Sequence, residues 1–220
     1  MKKKALLVII VFFCVLGVAS LAYAHNPRLV YNLDALAEKP IIISSPDISQ
    51  AFYGRLKGWE EYYQFTLTTN QDFYFETLVP DVKDISKNIS ADLINVEDEK
   101  ILAVLDAKKS DWPPYFEKFA GDHYFSGPTS TVNLDPGTYQ IKVYNENNEG
   151  KYVLVVGQKE EFPPKEILGT IVNLPALKTY FNESPLNAYL NYVGLFMLGG
   201  LVGVLIIFLI LRFIFRLFTR

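Results

Sequence analysis

The sequence predicts an all-β fold, an antiparallel β-sandwich or jelly roll, followed by an amphipathic helix and one C-terminal transmembrane helix. The middle of the chain alternates between apolar and polar residues in short runs, with turn residues about every 8 to 15 positions. Both ends are apolar, at residues 5–18 and 189–211. No repeat of 20–50 residues is visible, so two antiparallel sheets packed face to face are the expected way to bury these strands.

About eight strands follow from the alternation, because a period of two places every second side chain on one sheet face. Asn70 and Gln71 form an expected tight turn, residues 97–100 close an expected hairpin, and residues 145–150 close another. The strands are expected at residues 40–44, 62–69, 73–79, 91–96, 101–105, 130–134, 138–144 and 152–156. The expected core includes Phe65, Leu67, Phe75, Leu93, Ile101, Leu105, Ile141, Val143 and Leu154.

The two apolar ends have different flanking residues, so we expect the first to be a cleaved signal and the second to be a membrane-spanning helix. Three lysines precede the first apolar run, and Ala22-Tyr23-Ala24 follows it, which is the pattern of a cleaved secretory signal. The second run has no charged residue and is followed by arginines, which is typical of a spanning helix with its C-terminus in the cytoplasm. The expected divisions are 1–24 (signal peptide), 25–39 (N-terminal segment), 40–160 (sandwich), 163–187 (amphipathic helix and linker), 189–211 (transmembrane helix) and 212–220 (basic tail).

The segment between the two apolar ends is acidic. All 24 acidic residues lie in it, but only 15 of the 21 basic residues do, which gives it a net charge of −9. Such a surface repels phosphate backbones, so nucleic-acid binding is not expected, whereas the lipid bilayer is an expected partner through the C-terminal helix. Cys14, the single cysteine, lies within the signal, so the mature chain is expected to lack disulfides and thiol chemistry.

Residues 132–157 resemble a known type of exported domain. Asp135-Pro136-Gly137-Thr138-Tyr139, followed by Gly150-Lys151-Tyr152-Val153-Leu154, is similar to the last hairpin of bacterial pre-peptidase C-terminal domains. The resemblance implies a small jelly roll that serves as an accessory module for adhesion or binding. The whole chain looks more like an exported, single-span prokaryotic membrane protein than a member of that family, because it has an anchor and no attached protease.

The segment between the sandwich and the anchor predicts an amphipathic helix. Apolar residues recur at helical spacing over residues 166–181, and Pro175 is expected to interrupt one backbone hydrogen bond. The apolar face has two possible positions. It either rests in the membrane interface or packs against the sandwich.

Two histidines are the candidate metal ligands. Cleavage after Ala24 makes His25 the first residue of the mature chain, where an amine and an imidazole together chelate copper. His123, in Gly121-Asp122-His123-Tyr124, is the expected second ligand. The sequence leaves open whether the two histidines meet, and the alternative is that both are ordinary surface residues.

The segment 108–128 is an expected long loop that contains an aromatic group, the candidate ligand- or partner-binding residues Trp112, Tyr115, Phe116, Phe119 and Tyr124. A long structureless loop in a small domain is often functional, and exposed rings suit sugars or a protein partner. The alternative is that the loop folds over an open end of the sandwich and buries these rings, since exposing them together is costly.

No catalytic motif is present, so the sequence predicts a binding or scaffold protein rather than an enzyme. Carboxylate clusters lie in expected turns and lack the spacing of a calcium loop. The alternatives are an exported copper protein and an accessory subunit of a membrane or secreted enzyme. In the anchor, Gly199 and Gly203 are four residues apart, which predicts a close approach of two helices and a possible homodimer.

Overall fold

The structure, a computed structural model, describes residues 25–118, 120–161 and 163–218. The expected signal peptide and Phe119 lie outside the described residues. Within the described ranges the chain forms eleven strands, namely β1 (Asn26–Leu29), β2 (Ile41–Ile42), β3 (Gln50–Lys57), β4 (Glu61–Leu67), β5 (Gln71–Pro80), β6 (Ser90–Asn95), β7 (Ile101–Leu105), β8 (Pro114–Glu117), β9 (Asp122–Leu134), β10 (Gly137–Tyr144) and β11 (Glu149–Val156).

The strands form two packed sheets, which confirms the sandwich class. The six-stranded sheet has the order β1-β3-β11-β5-β9-β8, and the five-stranded sheet has the order β2-β4-β10-β6-β7. Most neighbouring strands are antiparallel, as expected. The exceptions are two short strands at sheet edges, because β1 pairs with β3 and β2 pairs with β4 in parallel. Neither β1 nor β3 is among the strands that the sequence predicted.

One of the two expected hairpins is wrong, and the expected tight turn at Asn70 and Gln71 also joins strands of different sheets. β4 and β5 lie in different sheets, and so do β10 and β11, so the chain crosses the sandwich at each of these turns. Alternation shows which side chains of a strand share a face, but it does not show which strand is the neighbour. A short connection can join two paired strands of one sheet (a hairpin) or two strands of opposite sheets (an arch). The other expected hairpin is confirmed, since β6 pairs with β7 in antiparallel orientation.

The expected loop at residues 108–128 is also corrected. It contains all of β8 and the first half of β9, which pair in register from Pro114 opposite Phe125 to Glu117 opposite Asp122. The long strand β9 has a register shift opposite β5 between Glu76 and Leu78. Proline and glycine at residues 113–114 and 127–128 suggested a loop, but these residues fall at the start of an edge strand and near a bulge, where strands tolerate them.

The main core lies between the two sheets. Eight of the nine expected core residues are buried there, and aromatic rings stack at its centre, with the ring centroids of Phe65 and Phe73 4.2 Å apart. The exception is Ile101, which is 51% exposed. It lies on β7, an edge strand of the five-stranded sheet, beyond a register shift between the pairs Leu93–Ala103 and Ile94–Ile101 that interrupts the alternation.

A second core lies on the outer face of the six-stranded sheet, under helix α1 (Pro164–Tyr180). Leu174, Leu177 and Phe181 cover Val153 and Val155 of β11. β11 is therefore buried on both faces, which explains its continuous apolar run. Of the two positions expected for the helix, the structure shows its C-terminal half against the sandwich.

Pro175 leaves one helical carbonyl of α1 without its usual donor, because proline has no backbone N–H and the affected oxygen is that of Ile171. The hydroxyl of Tyr189 donates to this oxygen at 3.2 Å. Tyr189 ends a short 3-10 helix, Pro185–Tyr189. The proline thereby creates an acceptor that fixes the following segment along α1.

The chain ends in helix α2 (Tyr192–Phe218). Its segment Tyr192–Phe213 has 22 residues and is long and apolar enough to cross a membrane. At the usual rise per residue this segment spans about 33 Å, which matches the hydrocarbon core of a bilayer. Only its first turn packs on the sandwich, where Val193 joins the second core.

The second core predicts a contrast between two positions of α1. Leu177→Ala is expected to lower the free energy of unfolding by about 2–5 kcal/mol, because it removes a buried side chain and leaves a cavity. Val172→Ala, on the exposed side of the same helix, is expected to change it by less than about 0.5 kcal/mol. Urea unfolding of the full chain in detergent, followed by near-ultraviolet circular dichroism, measures both. Equal effects would contradict the packing of α1 on the sheet.

Candidate functional site

The candidate site is a groove between β3, β11 and the C-terminal end of α1. Its narrow part has a volume of about 170 Å³ and is lined by Tyr31, Arg55, Lys151, Thr179 and Tyr180. Arg55 and Lys151 come from facing positions, since they are directly paired across β3 and β11. Side chains of paired residues lie on the same sheet face, so the two cations point to the same side.

The rings of Tyr31 and Tyr180 form one wall of the groove, next to the part of β3 that contains Gly54. The hydroxyl of Tyr180 lies 2.7 Å from the carbonyl oxygens of both Gly54 and Tyr152. A Cβ atom at Gly54 would overlap the ring of Tyr152. The ring of Tyr31 lies 5.5 Å from that of Tyr180. Glycine is therefore needed at position 54, because the ring of Tyr152 lies against it inside the sandwich.

Lys151 is held at the end of α1. Its Nζ atom donates to the carbonyl oxygen of Tyr180 at 2.6 Å and to Oδ1 of Asn182 at 2.8 Å. Asn182 follows the helix with a φ of 59°, the left-handed conformation that often ends a helix and that asparagine tolerates. Both acceptors are neutral oxygens, so the charge of Lys151 is positioned but not neutralised.

The electrostatics of the groove favour an anion. Burial and the nearby charge of Arg55 both lower the pKa of Lys151. Among the residues that the structure describes, neither Arg55 nor Lys151 forms an ion pair with a carboxylate. The groove widens into a region of about 330 Å³, where Lys83 and Asp84 also line it. Two cations that repel each other in a half-buried groove are stabilised when an anionic group enters between them.

A buried carboxyl lies inside the sandwich near this wall. Glu61 is 1% exposed and accepts a hydrogen bond from Tyr152, whose hydroxyl is 2.7 Å from that of Tyr63. Burial raises the pKa of Glu61 from 4.5 to about 7, although the bond from Tyr152 and the charge of Lys57 act in the opposite direction. Tyr152 donates to Oε2, and the other carboxyl oxygen, Oε1, has no hydrogen-bond partner among the described residues. The protonated carboxyl is thus the form that the interior favours near neutral pH.

A second buried charge joins α1 to the sheet. Nζ of Lys178 lies 2.5 Å from Oδ1 of Asp122 and donates to the carbonyl oxygen of Ala120 at 2.8 Å. Both charged side chains are almost fully buried. The same carbonyl oxygen accepts a hydrogen bond from the side-chain amide of Asn191 at 2.7 Å, and Oδ1 of Asn191 caps the first turn of α2. One backbone oxygen therefore connects the sandwich, α1 and α2.

The structure separates the expected aromatic group. Trp112 is 5% exposed and donates from its indole nitrogen to the carbonyl oxygen of Ala107 at 3.1 Å, so it belongs to the core. Tyr124 is also buried. Tyr115 and Phe116 are 39% and 46% exposed on the edge strand β8. The burial of Trp112 and Tyr124 agrees with the alternative in which this segment covers the sandwich. These two rings are therefore not part of an exposed binding surface.

The structure does not bring the two histidines together as a pair of ligands, and copper binding itself stays a prediction. His25 precedes β1, and His123 lies on β9, four strand spacings or about 19 Å away across the sheet. When the strand pairing is traced across the sheet from Asn26, the residue opposite it on β9 is Ser130. Ser130 is seven residues after His123, so the two histidines are also displaced along the strand direction. Imidazole ligands lie about 2 Å from their metal. His25 instead contacts Oγ of Ser49 at 2.5 Å.

The two helix glycines, Gly199 and Gly203, both lie in α2, where a spacing of four residues places them on one face. A Cβ atom at Gly203 would meet no neighbour within 4 Å in the single chain. The pairing of two copies through this face stays a prediction. Among the described residues, no group of three or more His, Cys, Asp or Glu side chains is placed to hold a metal ion.

Sequence reasoning missed Arg55, Lys151, Glu61 and the pair of Lys178 with Asp122. One signal was available, since Lys178 is the only charged residue between Ile167 and Phe181. A lone charge on an apolar helix indicates a buried partner. The groove had no comparable signal, because β3 was not recognised as a strand and the pairing of Arg55 with Lys151 joins residues almost one hundred positions apart.

No family model matches this chain, and neither does any curated protein. Many solved structures are similar to it, and three of them at low identity serve as examples. They are the pre-peptidase C-terminal domain of a collagenase from Bacillus anthracis (TM-score 0.33, 14% identity, 61% of this chain and 95% of that one), PliG from Aeromonas hydrophila, a periplasmic inhibitor of g-type lysozyme (0.37, 11%, 60% and 97%), and a β-glucosidase from Paenibacillus barengoltzii (0.24, 11%, 60% and 13%). The first is the domain type that residues 132–157 resemble. At these scores the similarities assign no function.

The buried Glu61 predicts a pH dependence of stability. Between pH 4.5 and about 7 the unfolded chain releases the Glu61 proton while the folded chain keeps it, so the free energy of unfolding falls as the pH rises through this window. Above the folded pKa the contribution is constant. Glu61→Gln should remove this fall, whereas Glu97→Gln, in an exposed turn, should keep it. Thermal unfolding of both variants and the parent from pH 4.5 to 8 measures the difference. Parallel curves for the parent and Glu61→Gln would refute the assignment.

Proposed function

We propose that this chain is a single-span, membrane-anchored binding protein that takes an anionic group in the groove between Arg55 and Lys151. The observation that carries the proposal is the pairing of these two cations across β3 and β11 without a carboxylate partner among the described residues. The sandwich segment is otherwise strongly acidic, so a groove with two unneutralised cations is a local exception to its surface. Such exceptions are typical of sites for anions.

The size of the groove supports a small group as ligand. A narrow part of about 170 Å³ is below the usual volume for a drug-sized molecule and suits one phosphate or carboxylate with its nearest atoms. The guanidinium of Arg55 presents several donors in one plane, which suits two oxygens of such a group. The rings of Tyr31 and Tyr180 offer an apolar wall to the remainder of the ligand.

The position of Glu61 also favours a binding role over a catalytic one. Glu61 has the raised pKa of a general acid or base, but its side chain is enclosed between the sheets. A catalytic acid must reach the proton that it transfers, and Glu61 reaches only Tyr152 among the described residues. Its raised pKa is therefore explained by the interior of the sandwich.

Membrane anchoring is the second component of the proposal. The helix α2 is uncharged from Tyr192 to Leu211 and nearly all its side chains are exposed in the single chain. Arg212 and Arg216 follow this run. Exposing so many large apolar residues to water is unfavourable, and lipid removes that penalty. The arginines favour a cytoplasmic C-terminus, with the sandwich outside the membrane.

Topology is tested with the full chain carrying a C-terminal tag in a bacterial expression host. Protease added to spheroplasts is expected to digest the sandwich and leave the tag protected, because basic flanks stay in the cytoplasm. Immunoblotting of the tag and of an epitope placed in the turn at residues 97–100 reads the result. Protection of that epitope in intact spheroplasts, with digestion after lysis, would contradict the proposed orientation.

The groove is tested with inorganic phosphate as the probe. Arg55→Ala is expected to weaken phosphate binding by about 10–100-fold, because a hydrogen bond to a charged group contributes about 1.5–3 kcal/mol. Lys39→Ala removes the same charge from an exposed site outside the groove and is expected to leave the affinity within about two-fold. Titration of the purified full chain in nonionic detergent measures both. Equal affinities for the two variants, or no binding by the parent chain, would overturn the anion site.

A further inference from the structure

The side of α1 that faces away from the sandwich is also apolar. We define the apolar collar as Leu168, Val172, Leu186 and Leu190, which are 64%, 75%, 80% and 81% exposed. Leu168 and Val172 are four residues apart and so lie on one stripe of α1. The stripe lies roughly opposite the buried face, because a turn of 100° per residue places Leu174 and Leu177 on the other side of the helix. A helix between a protein core and water normally presents polar residues on its outer side.

The charge pattern around the collar is that of a segment adapted to lipid. From Ile167 to Leu211 the only charged side chains are Lys178 and Glu183. Lys178 is buried against Asp122, so it does not face outward. The collar therefore continues the uncharged surface of α2 backwards along the 3-10 helix and α1. An apolar surface continuous with a membrane span, and bounded by polar protein, marks an interface with lipid.

The junction between sandwich and span is held by several hydrogen bonds. Asn191 caps α2 and donates to the carbonyl oxygen of Ala120, which also accepts from Lys178. Tyr189 donates to the carbonyl oxygen of Ile171, so the 3-10 helix cannot swing away from α1 without breaking this bond. With α2 inserted, these bonds keep the collar beside the point where the chain enters the bilayer.

We propose that the apolar collar is inserted into the outer lipid interface and holds the sandwich in one orientation on the bilayer surface. This inference rests on the membrane anchoring proposed above and adds a second lipid contact to it. The occupant is lipid of any headgroup charge, because the collar carries no cations and its attraction is hydrophobic. α1 then lies between two apolar environments, with the six-stranded sheet on one side and lipid on the other.

The test uses site-specific fluorescence in the full chain with Cys14→Ser, which removes the sequence's single cysteine. A polarity-sensitive fluorophore is attached at Leu168→Cys in the collar. The matched control is Ile42→Cys on β2, which has a similar exposure of 61% but lies on an edge strand of the other sheet. Leu205→Cys, within the span, is the positive control for insertion. Each protein is placed in phosphatidylcholine nanodiscs that hold one copy, with or without acyl-chain bromination.

Brominated lipid is expected to reduce the fluorescence of the label at residue 168 by about two-fold or more, because interfacial helices bury their apolar face about 5–10 Å into the boundary. The emission at residue 168 should also shift to the blue relative to residue 42, whose label should not be quenched. Adding 1 M salt or about 30% anionic lipid should leave the quenching unchanged, since a hydrophobic contact is not screened.

The outcomes separate the inference from the anchoring on which it rests. Quenching at residue 205 without quenching at residue 168 would overturn the collar and leave the anchor intact. Absence of quenching at residue 205 would overturn the anchor and the collar with it. A blue shift at residue 168 that occurs only in nanodiscs with two copies, without quenching, would assign the collar to a second copy of the chain and would also overturn the lipid contact.

Discussion

The packing of α1 against the six-stranded sheet is the interaction on which the rest of this structure depends. It covers the outer face of β11, so that both faces of this strand are buried. It also places the hydroxyl of Tyr180 within hydrogen-bonding distance of the backbone of β3 and β11. It also forms one wall of the groove, because Lys151 is positioned by the end of the same helix. Without α1 the sheet would expose an apolar surface, and neither the groove nor the junction with α2 would form.

Two of the buried charge systems among the described residues meet the cost of burial differently. Asp122 has Lys178 at hydrogen-bonding distance. The attraction between the two charges, and the hydrogen bond from Lys178 to the carbonyl oxygen of Ala120, offset part of the free-energy cost of removing both charges from water. Glu61 has no cation in contact, so its pKa rises and the carboxyl becomes neutral. The first arrangement joins α1 to the start of β9, whereas the second makes the stability of the sandwich sensitive to pH.

The connection between sandwich and span is the feature with the clearest consequence for function. A flexible linker would let an anchored domain sample many orientations. Here the residues between α1 and α2 form a short 3-10 helix that is bonded at Tyr189 and Asn191. In the proposed membrane-anchored arrangement, this junction would present the groove at a defined height and direction, which would lower the entropy lost when the groove meets a ligand at the same surface.

The sequence by itself determined the classes of element: the half-buried strands, the helix before the anchor, and an uncharged C-terminal segment of membrane-spanning length. These follow from local periodicity and length, which each segment carries alone. It also identified most of the core between the sheets, since residues such as Phe65 and Ile141 alternate regularly within their strands.

Only the tertiary structure decided which strands are neighbours, and through them the site. β4 and β5 lie in opposite sheets because a tight turn fits an arch as well as a hairpin, and the pairing of Arg55 with Lys151 joins distant parts of the chain. The separation of His25 from His123 and the burial of Trp112 depend on the same long-range order of strands. Periodicity specifies the face on which a side chain lies, but partner choice depends on the packing of the whole chain, and sites that join distant residues are therefore decided by the fold.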